Sequence, residues 1–94
     1  RKAGEATGDF VWPLPLWEEY EPDIKGTFAD IANIGKSKYG GAIEGAVFLW
    51  QFAKEYPWVH LDIAPRMTAI DDEYLAKGAT GASVNLLVHF VRSF

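Results

Sequence analysis

The chain has 94 residues, 49% hydrophobic and 15% aromatic, with a formal net charge of −4; this is one domain at most and not a disordered chain. Lys and Arg number 9 against 13 Asp and Glu, and no Cys is present, which speaks against phosphate-backbone binding and removes disulfide frameworks, thiolate metal sites and Cys nucleophiles. Glu44, Gln51 and Lys54 interrupt the richest apolar run, so nothing approaches the roughly 18 residues of a membrane span.

The 4 Trp, 4 Tyr and 6 Phe are heavy for a chain that can bury only about 60–65% of its unfolded surface. More apolar surface is expected than the chain can hide alone. Arg1-Lys2-Ala3-Gly4-Glu5 is not a signal peptide, and no Met begins the chain. The expectation is a processed chain or a piece of something longer, in a reducing, cytoplasmic setting.

Residues 1–9 read as a surface lead-in or a frayed helix end. Phe10 to Leu16 is apolar but carries Pro13 and Pro15, which predicts an edge strand or an extended segment. Trp17-Glu18-Glu19-Tyr20 predicts a short helix that Pro22 disturbs or restarts. Phe28 to Ile34 alternates poorly and ends at Gly35, and the polar loop Lys36-Ser37-Lys38-Tyr39-Gly40 suits a turn. Gly41 to Glu55 is the strongest predicted helix, apolar over most of its circumference, with Glu44, Gln51 and Glu55 as a narrow polar stripe. A helix of that kind is covered on most sides. Gly41 and Gly45, one turn apart, would admit another backbone.

Val59, Leu61 and Ile63 alternate with His60 and Asp62 between Pro57 and Pro65, which predicts a strand. Arg66 to Gly81 reads as a long loop, and such loops are usually functional or packed on another element. Ser83 to Phe94 predicts a last helix. Val84, Leu87, Val88 and Val91 form one face, Asn85, His89 and Arg92 the other, with Thr80 or Ser83 as cap.

Candidate chemistry is sparse. His60 and Asp62 share one strand face about 6–7 Å apart, suiting a metal, an acid/base pair, or ordinary hydrogen bonds at a strand end. Asp71-Asp72-Glu73 offers oxygen ligands without the spacing of a calcium loop, and a solvated loop is the plain alternative. Gly78-Ala79-Thr80-Gly81 ahead of a helix suits an anion cradle or simple capping. Ser37, Ser83 and Ser93 sit in no nucleophile elbow, and His89 reads as a surface residue. No complete catalytic constellation is present.

Five blocks in register nevertheless resemble one family. Trp12-Pro13-Leu14-Pro15-Leu16-Trp17-Glu18-Glu19-Tyr20, Ala29-Asp30-Ile31-Ala32-Asn33-Ile34-Gly35, Gly40-Gly41-Ala42-Ile43 with Phe48-Leu49, Trp58-Val59-His60-Leu61-Asp62-Ile63-Ala64, and Lys77-Gly78-Ala79-Thr80-Gly81 with Leu86-Leu87 and Phe90 are similar to the M17 leucyl aminopeptidases, the cytosol aminopeptidases. The blocks run over nearly the whole chain and resemble the carboxy-terminal part of that catalytic domain.

The resemblance implies a hydrolase that removes amino-terminal residues, preferably Leu, from peptides. It implies two divalent metals (Zn, Mn or Mg), a hexameric assembly, and an α/β fold. On it, residues 1–94 would be a single, incomplete domain: a three-layer fragment of a mixed sheet with flanking helices. The family's metal ligands (a Lys, three Asp and a Glu) and its bicarbonate-binding Arg lie in segments such as "N-T-D-A-E-G-R", absent here. No catalytic and no metal-binding residue is therefore assigned, and the chain alone is expected to be inactive.

What carries over is substrate-pocket wall. Ala64 matches the residue lining the pocket for the first side chain, Met67 its floor, and Ile34 the border of the second-residue pocket. His60 and Asp62 then become structural. Pro65 and Arg66 depart from the commoner residues beside the pocket, Glu44 stands where Thr is usual, and Gly45 where Ala is usual. Peptides with amino-terminal Leu and further copies of the parent chain are the implied partners, with no nucleic acid and no membrane. The alternative is a stand-alone, non-catalytic α/β interaction domain.

Overall fold

The structure, a computed structural model, describes residues 1–38, 40–64 and 78–94. Among them it forms α1 (Lys2–Thr7), a 3₁₀ helix (Glu18–Ile24), α2 (Gly41–Trp50) and α3 (Val84–Arg92). These fall into two compact units, one of Arg1–Pro13 with Ile63–Phe94 and one of Leu14–Asp62.

In the first unit the polar lead-in is a helix. Arg1 Nε meets Glu5 Oε1 at 2.9 Å one turn on, and the Thr7 hydroxyl donates to the Ala3 carbonyl at 2.8 Å. Gly8 ends α1 at φ 79°, a left-handed position that suits glycine. The next residue, Asp9, accepts the Leu86 N–H on Oδ2 at 3.0 Å. Leu86 lies in the first turn of α3, where N–H groups lack an intrahelical partner.

Sequence reasoning assigns that cap to Thr80 or Ser83. Ser83 does occupy the N-cap, at φ 68°, but its side chain makes no capping bond. Thr80 Oγ1 accepts the Ala82 N–H at 3.1 Å, ahead of the helix. The cap comes from a residue 77 positions away in sequence. Gly4 makes the approach possible. A Cβ there would stand 2.6 Å from the Asp9 carbonyl oxygen and 3.3 Å from Leu86 Cδ1, so α1 and α3 close over bare backbone.

The buried residue of α3 is consequently Leu86, 7% exposed, while Val84, Leu87, Val88 and Val91 stay exposed. The apolar face read from the sequence is therefore not the buried one among the described residues. Among the described residues, α1 is the element that packs on α3, and it meets the side that carries Leu86.

In the second unit the 3₁₀ helix packs against α2 and buries Ile24 and Val47. At its start the Tyr20 N–H donates to the carbonyl of the N-cap Trp17 at 3.1 Å, and the two rings stack, centroids 5.9 Å apart and 7° from parallel. Pro22 sits inside the short helix and its carbonyl accepts the Lys25 N–H at 3.3 Å.

The predicted helix from Gly41 to Glu55 ends at Trp50. Beyond it the bonds tighten to three-residue steps, Phe52 N–H to Leu49 O at 3.1 Å, Ala53 N–H to Trp50 O at 3.0 Å and Tyr56 N–H to Ala53 O at 3.0 Å. Such tightening is common where a helix ends, and Pro57 disfavours helical backbone at Tyr56. A Cβ on Gly41 or Gly45 would meet nothing within 4 Å. The close backbone approach predicted there is not made among the described residues.

The mixed sheet is not formed among the described residues either. Neither 10–16 nor 58–64 carries strand pairing, and Lys25 and Ile31 form an isolated antiparallel bridge. Alternation prepares a segment for one sheet face, but a strand needs a neighbouring edge for its N–H and C=O groups.

Lys54, just past α2, donates to Glu21 Oε1 at 2.6 Å and lies 4.7 Å from the centre of the Trp50 ring. That hydrogen bond holds the Glu21 carboxyl below its ordinary value. A depressed carboxyl contributes stability above its unfolded-state pKa and loses it as pH falls through the folded-state value. Lys54→Met is therefore expected to flatten the acid limb of the stability curve, read as melting midpoint against pH. Identical acid limbs in the two proteins would show that the pair contributes nothing.

The cap gives a second expectation. Asp9→Ala should cost about 1 kcal/mol, and Asp9→Asn, which keeps an acceptor, should recover most of it. The check is urea unfolding followed by circular dichroism, and an unchanged midpoint for Asp9→Ala would remove Asp9 from the cap.

Candidate functional site

Ile34 lies on a loop held at both ends by the 3₁₀ helix. The Ala32 N–H donates to the Ile24 carbonyl at 2.7 Å, and the Lys36 N–H to the Asp23 carbonyl at 3.0 Å. The Lys25–Ile31 bridge and the Gly26 N–H to Asp30 O bond at 3.2 Å brace the approach to it. Between these anchors Ile34 is 77% exposed. Large apolar side chains that project from a braced backbone are available to line a binding surface.

Below the loop stands Glu44, in the first turn of α2, where a negative charge is favoured by the helix dipole. Its carboxylate lies directly against Gly35, in the space a Cβ would need. Oε1 is shut off from solvent and accepts no hydrogen bond. The sequence placed Glu44 on a polar stripe of the helix; the structure turns its head group inward against the loop.

Ala64 is exposed and belongs to the first unit, while Ile34 belongs to the second. Met67 lies outside the described residues, as do Pro65, Arg66 and Asp71-Asp72-Glu73. His60 is half-buried with its ring centre 6.1 Å from that of Trp58, the neighbour two residues back. Among the described residues no group of three or more His, Cys, Asp or Glu side chains converges to hold a metal ion, so the metals of the resembled family find no donor set there.

The glycine-rich approach to α3 has its own anion. Gly78 and Gly81 adopt φ 118° and 69°, and the α3 amino end receives the Asp9 carboxylate, so the cradle serves capping. His89 is exposed in the last turn of α3 with Arg92, where positive charge suits the dipole. The Ser93 hydroxyl donates to the Phe90 carbonyl at 2.6 Å. A separate groove of the second unit is bordered by Glu18, Glu21, Lys25, Asp30 and Gln51, a lining of mixed sign that contains none of the predicted pocket residues.

Asp9 and Glu44 are the residues whose placement sequence reasoning missed. Asp9 had one local signal, its position just after the helix-ending Gly8. Glu44 had one as well, Gly35 at the end of an otherwise apolar segment, where a missing side chain leaves room for another.

No helix among the described residues is long and apolar enough to cross a membrane. Residues 1–88 match the model of the cytosol aminopeptidase family, catalytic domain. The chain is 51% identical over 90 residues to the "Probable cytosol aminopeptidase" of Azoarcus sp. (strain BH72), a match covering 96% of this chain and 17% of that protein. It is 50% identical over 92 residues to the protein of the same name in Nitrosomonas europaea, covering 98% and 18%. It is 52% identical over 88 residues to that of Solibacter usitatus (strain Ellin6076), covering 90% and 18%. The chain thus spans less than a fifth of the length of these relatives, and it belongs to the cytosol aminopeptidase family.

Proposed function

We propose that this chain is the carboxy-terminal segment of a two-metal leucyl aminopeptidase of the cytosol, and that it supplies substrate-pocket wall and subunit contacts. The observation that carries the reading is the match of residues 1–88 to the family's catalytic domain. The braced, outward Ile34 supports a wall role at the second-residue pocket. Ala64 then lines the pocket for the first side chain and Met67 its floor. A flexible thioether and a small methyl suit a leucyl side chain.

Two divalent ions in such enzymes activate a water and stabilise the tetrahedral oxyanion. The described residues bring no donor set together for them, so in this reading the ions are held by other segments of the whole enzyme. The role of this chain is binding and orientation, with the α/β layers completed by the rest of the catalytic domain. The exposed aromatics Phe10, Trp12, Phe28 and Phe94 fit surfaces that the rest of the enzyme, or a further subunit, would cover.

Metal content and Leu-amide hydrolysis of the purified chain, with intact mass on the same sample, test the division of labour. The expected result is neither metal nor turnover at the mass of the 94-residue chain. Stoichiometric metal with turnover at that mass would overturn it. In the whole enzyme, Met67→Ala is expected to weaken discrimination for Leu over Ala at the first position by about 1–3 kcal/mol. Equal kcat/KM ratios in the two enzymes would remove Met67 from the pocket.

A further inference from the structure

The loop 31–36 is tied down at Ala32 and at Lys36, and Asn33, Ile34 and Gly35 span the distance between. What lies against the middle of that span is the Glu44 carboxylate, packed on Gly35 so closely that a Cβ there would overlap it. A buried acceptor without a donor is costly, and a native structure that keeps one calls for an explanation. Glu44 Oε1 is such an acceptor.

We infer that Glu44 is a positioning residue for Ile34, a strut that holds the Ile34–Gly35 loop raised and thereby limits the size of substrate side chain accepted at the second position. Inward movement of Gly35 would press on a carboxylate already in contact with it, which opposes the movement. The loop therefore stays up and Ile34 stays outward. A shorter side chain at position 44 would leave space beneath Gly35, and the loop would settle into it. Ile34 would then withdraw from the substrate and the second-residue pocket would widen. Gly35 is a glycine for the same reason, since its missing Cβ is the space the carboxylate fills. This inference rests on the proposed reading of Ile34 as the border of the second-residue pocket.

The test uses the whole aminopeptidase that carries this segment, with Leu-Phe, Leu-Gly and Leu-amide as substrates. Glu44→Ala is expected to raise the Leu-Phe to Leu-Gly ratio of kcat/KM by about fivefold or more, chiefly through KM. Glu44→Gln, nearly the same shape, should keep the parental ratio. Gly35→Ala displaces the carboxylate from the other side and should move the ratio as well, which preserves the test if Glu44→Ala does not fold. A parallel change on all three substrates, Leu-amide included, would reduce Glu44 to a general stabilising role and overturn the inference. Ile34→Ala separates the two levels. If it shifts the ratio while Glu44→Ala and Gly35→Ala do not, the strut alone fails. If Ile34→Ala leaves the ratio unchanged, the second-residue reading fails and the strut falls with it.

Discussion

One hydrogen bond ties the two ends of this chain into a unit: the Asp9 carboxylate accepting the Leu86 N–H at 3.0 Å. Its consequences reach several neighbouring residues. Asp9 stands where it does because Gly8 turns left-handed after α1. The approach is open because Gly4 has no Cβ to strike the Asp9 carbonyl. The contact decides which side of α3 is buried, setting Leu86 inward and leaving Val84 and Val91 exposed. A charged acceptor at a helix amino end satisfies an orphan donor and the dipole together, so one side chain replaces the local cap that Ser83 does not provide.

The second unit is organised by backbone bonds to the 3₁₀ helix and by the burial of Ile24 and Val47. The carbonyls of Asp23 and Ile24 accept from Lys36 and Ala32, so the loop carrying Ile34 is fixed to the same short element that packs on α2. Lys54 binds Glu21 of that element from just beyond the other end of α2. A loop placed in this way needs no sheet beneath it, and a side chain can be exposed on it and still held in position.

Local structure was largely readable from residue order. The short helix after Trp17, the helix opening at Gly41 and the last helix all follow from periodicity and from Pro and Gly punctuation, and all form. The strands did not appear among the described residues because alternation at Val59, Leu61 and Ile63 states a preference for a sheet face without supplying the adjacent edge. The buried side of α3 was not readable for a related reason. Periodicity ranks Val84, Leu87, Val88 and Val91 as the apolar side, but burial depends on which partner is present, and among the described residues that partner is α1. The cap and the strut were hidden because each joins residues of different elements, 9 with 86 and 35 with 44, through a single polar group with no periodic signature. Of the candidate site, the proposal of Ile34 as a wall residue came from resemblance; its bracing and exposure came from geometry.

The distribution of apolar residues bears on the proposal that this chain works as part of a larger enzyme. Among the described residues only Ile24, Val47 and Leu86 form buried core, while Phe28, Phe94, Trp12 and Phe10 stand open to water. Exposed single hydrophobics are ordinary, but large aromatics in this proportion cost solubility unless something covers them. In the proposed whole enzyme, a segment spanning less than a fifth of its relatives' length would have surfaces shaped for the rest of the protein. Selection on it would then act through fit, and the polar residues worth attention are those that fix backbone position from inside. Asp9 and Glu44 are of that kind. Each spends a carboxylate where no catalytic chemistry is described, one to hold a helix against its neighbour and the other to hold a loop at a height. In the proposed enzyme the chemistry lies elsewhere, and this segment's contribution is the placement of a wall to within the fraction of an ångström that side-chain discrimination requires.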